Sequence, residues 1–222
     1  MNKLFLVITV AMMACCISVN AQENKKQKAP SLTIGVSPFG SSKAKIIFTE
    51  DLENHYKYSP LTINVGLEKM FKGISHLLEL SYTNCSFDEY SSKKERDTSK
   101  EIYRFPNESD LNDISLCYYA GYTFNKNKRL QIPIYIGIGG EYLTGDLFKK
   151  ILFDFAVKAR VKYYISNKVG LFVGGTWKYA IGSKRFTAPL GFTIESATGQ
   201  QEVGSIYHQV GYIDAGITIS LK

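Results

Sequence analysis

From Phe153 to Ile165 the chain reads FDFAVKARVKYYI. Phe153, Phe155, Val157, Ala159, Val161, Tyr163 and Ile165 alternate with a set that holds Asp154, Lys158, Arg160 and Lys162. Side chains on an extended strand point to opposite faces in turn, so this segment is a strand with one apolar and one charged face. Alternation alone does not say whether the apolar face meets a protein core or lipid. The rest of the chain has to decide.

The first residues read as a secretory signal over 1–21: Lys3 supplies the positive region, Leu4 to Ile17 the apolar run, and Val19-Asn20-Ala21 the small residues before a cut. The apolar run is too short for a helical span, which needs about 20 residues. Residues 22–30 then form a short periplasmic segment, and 31–222 a single domain, a length that suits one all-β barrel or sandwich. No later segment reaches helical span length without charges. A membrane-embedded domain must therefore be a closed barrel, because lipid leaves any open backbone edge unpaired. Tyr, Phe and Gly are frequent, as suits strands. The chain is basic, at a formal +7, but its cations are dispersed and it is exported, which argues against nucleic acid as a partner.

The period-two test predicts eight strands, near Ser31–Phe39, Pro60–Met70, His76–Phe87, Leu111–Phe124, Leu130–Tyr142, Phe153–Ile165, Val169–Gly182 and Tyr207–Leu221. Tight turns at 71–73, 125–129 and 166–168 alternate with longer polar segments, including those that begin at Asp88 and Ser183. Up-and-down outer-membrane barrels have short periplasmic turns and longer extracellular loops. The pattern thus predicts an all-β, eight-stranded antiparallel transmembrane barrel with four long extracellular loops.

One face carries Ile34, Val36, Leu61, Ile63, Val65, Leu67, Leu80, Ile134, Ile136, Leu171, Val173 and Ile217, with Tyr82, Phe124, Tyr142, Tyr179 and Tyr207 near strand ends as in interfacial girdles. The other face mixes glycines with nearly all the charge. Pointing the apolar set inward would instead give a soluble, lipocalin-like exported barrel that binds an apolar ligand. The aromatic strand ends, the glycines and the alternating connections favour lipid outside and charge inside.

On these features the domain resembles the small eight-stranded outer-membrane β-barrel family, the OmpX and OmpA-transmembrane-domain type, within the porin-like outer-membrane β-barrel proteins. The resemblance covers residues 31–222 and is architectural, with one local motif. The last strand, Asp214-Ala215-Gly216-Ile217-Thr218-Ile219-Ser220-Leu221, is similar to the assembly signal of such barrels, with Asp214, Gly216, Ile219 and Leu221 at its key places and Leu221 where an aromatic is usual. The resemblance implies a cell-outer-membrane location, contact with lipid and lipopolysaccharide, recognition by the outer-membrane assembly machinery, and an extracellular partner that no residue identifies.

The inward charges are the candidate site. Glu68, Glu79, Glu141 and Asp214 are expected to pair with Lys158, Arg160, Lys162 and Lys178, since unpaired buried charge is costly. Eight-stranded barrels are filled, whereas wide aqueous channels need about 16 strands. A plugged lumen with a structural or surface-binding role is therefore expected, rather than a narrow pore. Barrel enzymes that act on lipid A need an activated hydroxyl with a His and a carboxylate. His55 in the first long loop, His76 at the periplasmic end and His208 near an outer strand end read as surface residues, so no catalysis, cofactor or metal is expected. Cys85 and Cys117 lie some four residues out of register in a simple hairpin, too far for a disulfide.

Overall fold

A computed structural model describes residues 29–49, 52–94, 110–126, 129–145, 149–182 and 205–221. The segment read as a signal sequence and the loop following Lys94 lie outside these residues. Eight strands follow in order: β1 (Ser31–Thr49), β2 (Leu52–Phe71), β3 (Ile74–Lys94), β4 (Leu111–Phe124), β5 (Leu130–Gly145), β6 (Lys149–Tyr164), β7 (Val169–Gly182) and β8 (Ser205–Ser220). Each pairs antiparallel with its neighbours, and β1 with β8, so the sheet closes into an up-and-down barrel.

The short turns sit where the sequence puts them. Between β2 and β3 the two central residues, Lys72 and Gly73, both have positive φ (51° and 100°), as the tight hairpin matched to strand twist requires. Ser31 pairs with Ser220, which brings both ends of the domain to this turn side, the periplasmic end in barrels of this kind.

The opposite end departs from expectation. Strands β1 to β3 continue well beyond Phe39, Pro60 and Phe87, and residues 40–59 are largely a paired hairpin rather than a long loop. His55 consequently lies on β2, opposite Lys45 and Ser91. Only residues 146–148 separate β5 from β6, so the strict alternation of short and long connections does not hold. What reads in sequence as polar loop is strand whose polarity has reversed. Within the band, β2 points Leu61, Ile63, Val65 and Leu67 outward and Thr62, Asn64 and Glu68 inward; above it, Tyr56 and Tyr58 point inward and Lys57 outward. A bulge between Val36 and Phe39 in β1 shifts the parity, after which Ser42, Ala44 and Ile46 point in.

The outward face of the band is apolar and exposed, with Phe39 at 72% and Ile136 at 71%. Aromatics bound it. Tyr122 and Phe124 meet edge to face at 5.0 Å near the turns, while Phe153, Tyr179 and Tyr207 line the other border, with Phe155 packed beneath Phe153 (5.0 Å) and Trp177 beneath Tyr179 (6.1 Å). The expected exterior face thus meets lipid, and the band's interior holds charge instead of the apolar lining a lipocalin-like carrier needs. Above the band the interior changes again. Ala44, Ile46, Tyr56, Tyr58, Cys85, Leu111, Leu143, Leu152, Ala180 and Ile206 form a buried apolar cluster. There the wall faces water, so the ordinary arrangement of apolar inside and polar outside returns.

Candidate functional site

The lumen of the band is filled chiefly by polar side chains in three layers, with a small buried cluster of Leu77, Cys117, Tyr119, Tyr135 and Ala156 among them. Nearest the turns, Lys162 from β6 pairs with Glu68 from β2, and the Tyr135 hydroxyl donates to the other Glu68 oxygen at 2.9 Å. In the middle, one Arg160 Nη2 donates to Glu79 Oε2 at 2.8 Å and to Asp214 Oδ2 at 2.7 Å. Lys158 pairs with Glu79 and stands 3.9 Å from Asp214. Asn64 Nδ2 donates to Asp214 at 3.3 Å, and the Arg160 guanidinium stacks over the Phe172 ring at 4.3 Å. Charge is balanced here, three cations from β6 against Glu68, Glu79 and Asp214.

These pairs form because β6 turns Lys158, Arg160 and Lys162 to one face, while the acids project from β2, β3 and β8 around the ring. All six charged groups are almost fully buried. Gly174 leaves room for the arginine stem, since a Cβ there would lie 2.5 Å from Arg160 Cγ.

The upper layer is different in kind. Lys178 Nζ donates to Asp113 Oδ2 at 3.0 Å and Ser115 Oγ at 2.8 Å, and stands 3.9 Å from Glu141 Oε2. His208 Nδ1 pairs with Glu141 Oε1, and His208 Nε2 lies 2.8 Å from Ser42 Oγ. Cys117 Sγ donates to Asp154 Oδ2 at 3.5 Å. Among the described residues three carboxylates therefore face one lysine and one imidazole in this layer, and Asp113 Oδ1, Glu141 Oε2 and Asp154 Oδ1 have no hydrogen-bond partner.

All eight residues expected in the lumen network are there, and each joins an ion pair. The reading of His208 as a surface residue is wrong: it is 1% exposed and points inward. Its hydroxyl partner is Ser42, brought from β1 across the closure seam. Asp113, Asp154 and Ser42 were missed as members. The inward parity that identified Lys158 also marks Asp113 and Asp154, whereas Ser42 lies beyond the bulge that resets parity in β1. His76 does sit toward the periplasmic end, 2.6 Å from the Tyr118 hydroxyl. The thiols of Cys85 and Cys117 are free and buried; Cys85 lies opposite Leu111 and Cys117 opposite Glu79, in different layers.

The sequence Ser42, His208, Glu141 has the order of a hydroxyl–imidazole–carboxylate relay. Ser42 is completely buried, however, with Ala44 and Ile46 above it on the same strand.

The wall and lumen can now be set beside known proteins. The family model described as outer membrane protein beta-barrel domain matches residues 7–213. Among solved structures, neisserial surface protein A superposes with a TM-score of 0.53 at 12% identity, over 89% of this chain and 100% of that one. The outer membrane protease OmpT of Escherichia coli gives 0.48 at 7% identity, over 90% and 99%. Ail, the attachment invasion locus protein of Yersinia pestis, gives 0.40 at 10% identity, over 86% and 99%. A search of the curated proteins found no match in sequence. At such identities the first of these structures speaks for the fold alone, and the family match carries the assignment. The chain belongs to the outer membrane protein β-barrel domain family and is an integral protein of the outer membrane.

Proposed function

We propose that this protein is a closed, non-catalytic barrel that anchors an extracellular rim, with a structural or surface-binding role. One observation carries the reading: Arg160 bridges Glu79 and Asp214 across the lumen beneath a buried apolar cluster. Ions would have to break buried pairs and then cross an apolar layer. Both steps are costly without a large rearrangement.

In this reading the outward band contacts lipid, cationic rim residues such as Lys43 and Lys57 meet lipopolysaccharide phosphates, and an extracellular partner binds the rim. The last strand, with Asp214, Gly216, Ile219 and Leu221, serves as the signal to the outer-membrane assembly machinery. Among the described residues the rim is built of the upper extensions of β1, β2 and β3, which offer such a partner a strand surface.

Planar-bilayer recording of the purified protein tests closure: no steady conductance is expected, and large sustained steps would overturn the reading. Mass spectra of lipid A from cells with and without the protein test the absence of catalysis. They should match, and a difference of one acyl chain would revive Ser42 and His208 as a working relay.

A further inference from the structure

The middle layer of the lumen is balanced in charge and the upper layer is not. Asp113, Glu141 and Asp154 are each no more than 1% exposed. Lys178 serves Asp113 through one oxygen only, and the nearest Glu141 oxygen is 3.9 Å from it. The second oxygens of all three carboxylates are buried with no hydrogen-bond partner. Leaving such lone pairs unmet in a buried position is expensive. Among the described residues a further buried lysine toward the rim, Lys150, stands one inward position above Leu152.

Ligand atoms of Asp113, Glu141 and His208 all lie within 4.8 Å of one another. Two carboxylates and one imidazole form a donor set suited to Zn2+ and similar divalent ions. Around a tetrahedral Zn2+ with bonds near 2.0–2.1 Å, ligand atoms stand roughly 3.4 Å apart. To reach that spacing the longer separations close, and the His208–Glu141 pair, which is in direct contact, opens to admit the ion. Ser42 completes the argument: it lies 2.8 Å from His208 Nε2, so it can accept that N–H and leave the Nδ1 lone pair aimed at the carboxylates. A hydrogen bond to the distal nitrogen is the usual support of a metal-bound histidine. The three ligands come from β4, β5 and β8, so the site exists only once the barrel is closed.

We propose that Asp113, Glu141 and His208 bind one divalent transition ion, of which Zn2+ is the test case, with Asp154 beside them as a further acid. The ion offsets the negative excess of the upper layer and ties three strands together below the apolar cluster.

Because the site is buried, the ion should be offered during folding. Full-length mature protein without an affinity tag, in a His55→Gln/His76→Gln background, is refolded from urea into detergent with either EDTA or a slight excess of ZnCl2. After dialysis the zinc-refolded protein should retain one Zn2+ per chain and melt about 5 °C or more above the EDTA sample. His208→Gln and Asp113→Asn should each weaken zinc retention at least tenfold. No retained zinc, or equal retention by His208→Gln, overturns the site. Should both variants fail to fold, X-ray absorption of the zinc-loaded parent decides. One imidazole with oxygen ligands is required; a shell that lacks imidazole or contains sulfur refutes the proposal.

Discussion

Val157 provides the sharpest test of which face meets lipid. It is 44% exposed on β6, with Ile136 opposite on β5 and Trp177 opposite on β7. Along β6 it lies four residues from Phe153 and six from Tyr163. At about 3.3 Å per residue and a tilt near 40°, that places it about 10 Å below the upper aromatic border and about 15 Å above the lower one. An arginine there can carry its guanidinium only part of the way to the interface. Val157→Arg should therefore destabilise the barrel in lipid by about 2–4 kcal/mol, the range for cations near the midplane. Urea unfolding in phospholipid vesicles measures this, followed by the fluorescence of Trp177, the single tryptophan of the chain. Val157→Ala serves as the control for packing and should change little. Unchanged stability of Val157→Arg in vesicles would mean that the faces are assigned the wrong way round.

Two other perturbations probe the interior and the seam. Arg160→Met removes the cation shared by Glu79 and Asp214, and should cost about 3–5 kcal/mol because Lys158 alone is left to serve two buried acids; adding Asp214→Asn, which restores the balance and keeps the Lys158–Glu79 pair, should recover much of the loss in the same urea assay. Gly216→Ala should lower the yield of the folded, heat-modifiable form on gels, since a Cβ there would lie 2.0 Å from the Ile34 carbonyl oxygen on β1, and that contact cannot form without parting the two strands that close the barrel. A wild-type yield from Gly216→Ala would show that the seam is looser than drawn.

The band was legible in the sequence because lipid imposes a rule with few exceptions. Ile34, Ile63, Ile136 and Val173 must face outward, so every second residue is apolar and strand register follows. The same rule located the lumen charges, since Lys158, Arg160 and Lys162 share the other parity. Beyond the band the rule inverts. The stretch Ser42 to Ile46 alternates as faithfully as β6 does, but its apolar members are the inward ones, so a test for apolar-outward alternation passes over it. Closure of the barrel also hid partners. Ser42 and His208 come from opposite ends of the chain, and Asp113, Glu141 and His208 from three strands, so no spacing along the sequence announces either group.

That inversion explains why the buried charge lies within the band and the larger apolar cluster above it. A closed wall of eight strands leaves an interior about as wide as its side chains. Where lipid takes the apolar residues outside, the remaining parity must fill that interior with polar groups, and they are tolerable only when paired. Arg160 and its acids meet that condition. Where water surrounds the wall, the same geometry permits an apolar interior, and Ala44, Ile46, Leu143, Leu152 and Ile206 supply it. The upper polar layer lies at the join, below the apolar cluster and above the balanced pairs. There Asp113, Glu141 and Asp154 are buried as firmly as the acids beneath them but lack a matching set of cations. A proton or a metal ion must make up the difference, and only the metal ion would also draw β4, β5 and β8 to a common point. Stability that rises with zinc in the parent and not in His208→Gln would identify the ion as the component that completes this layer.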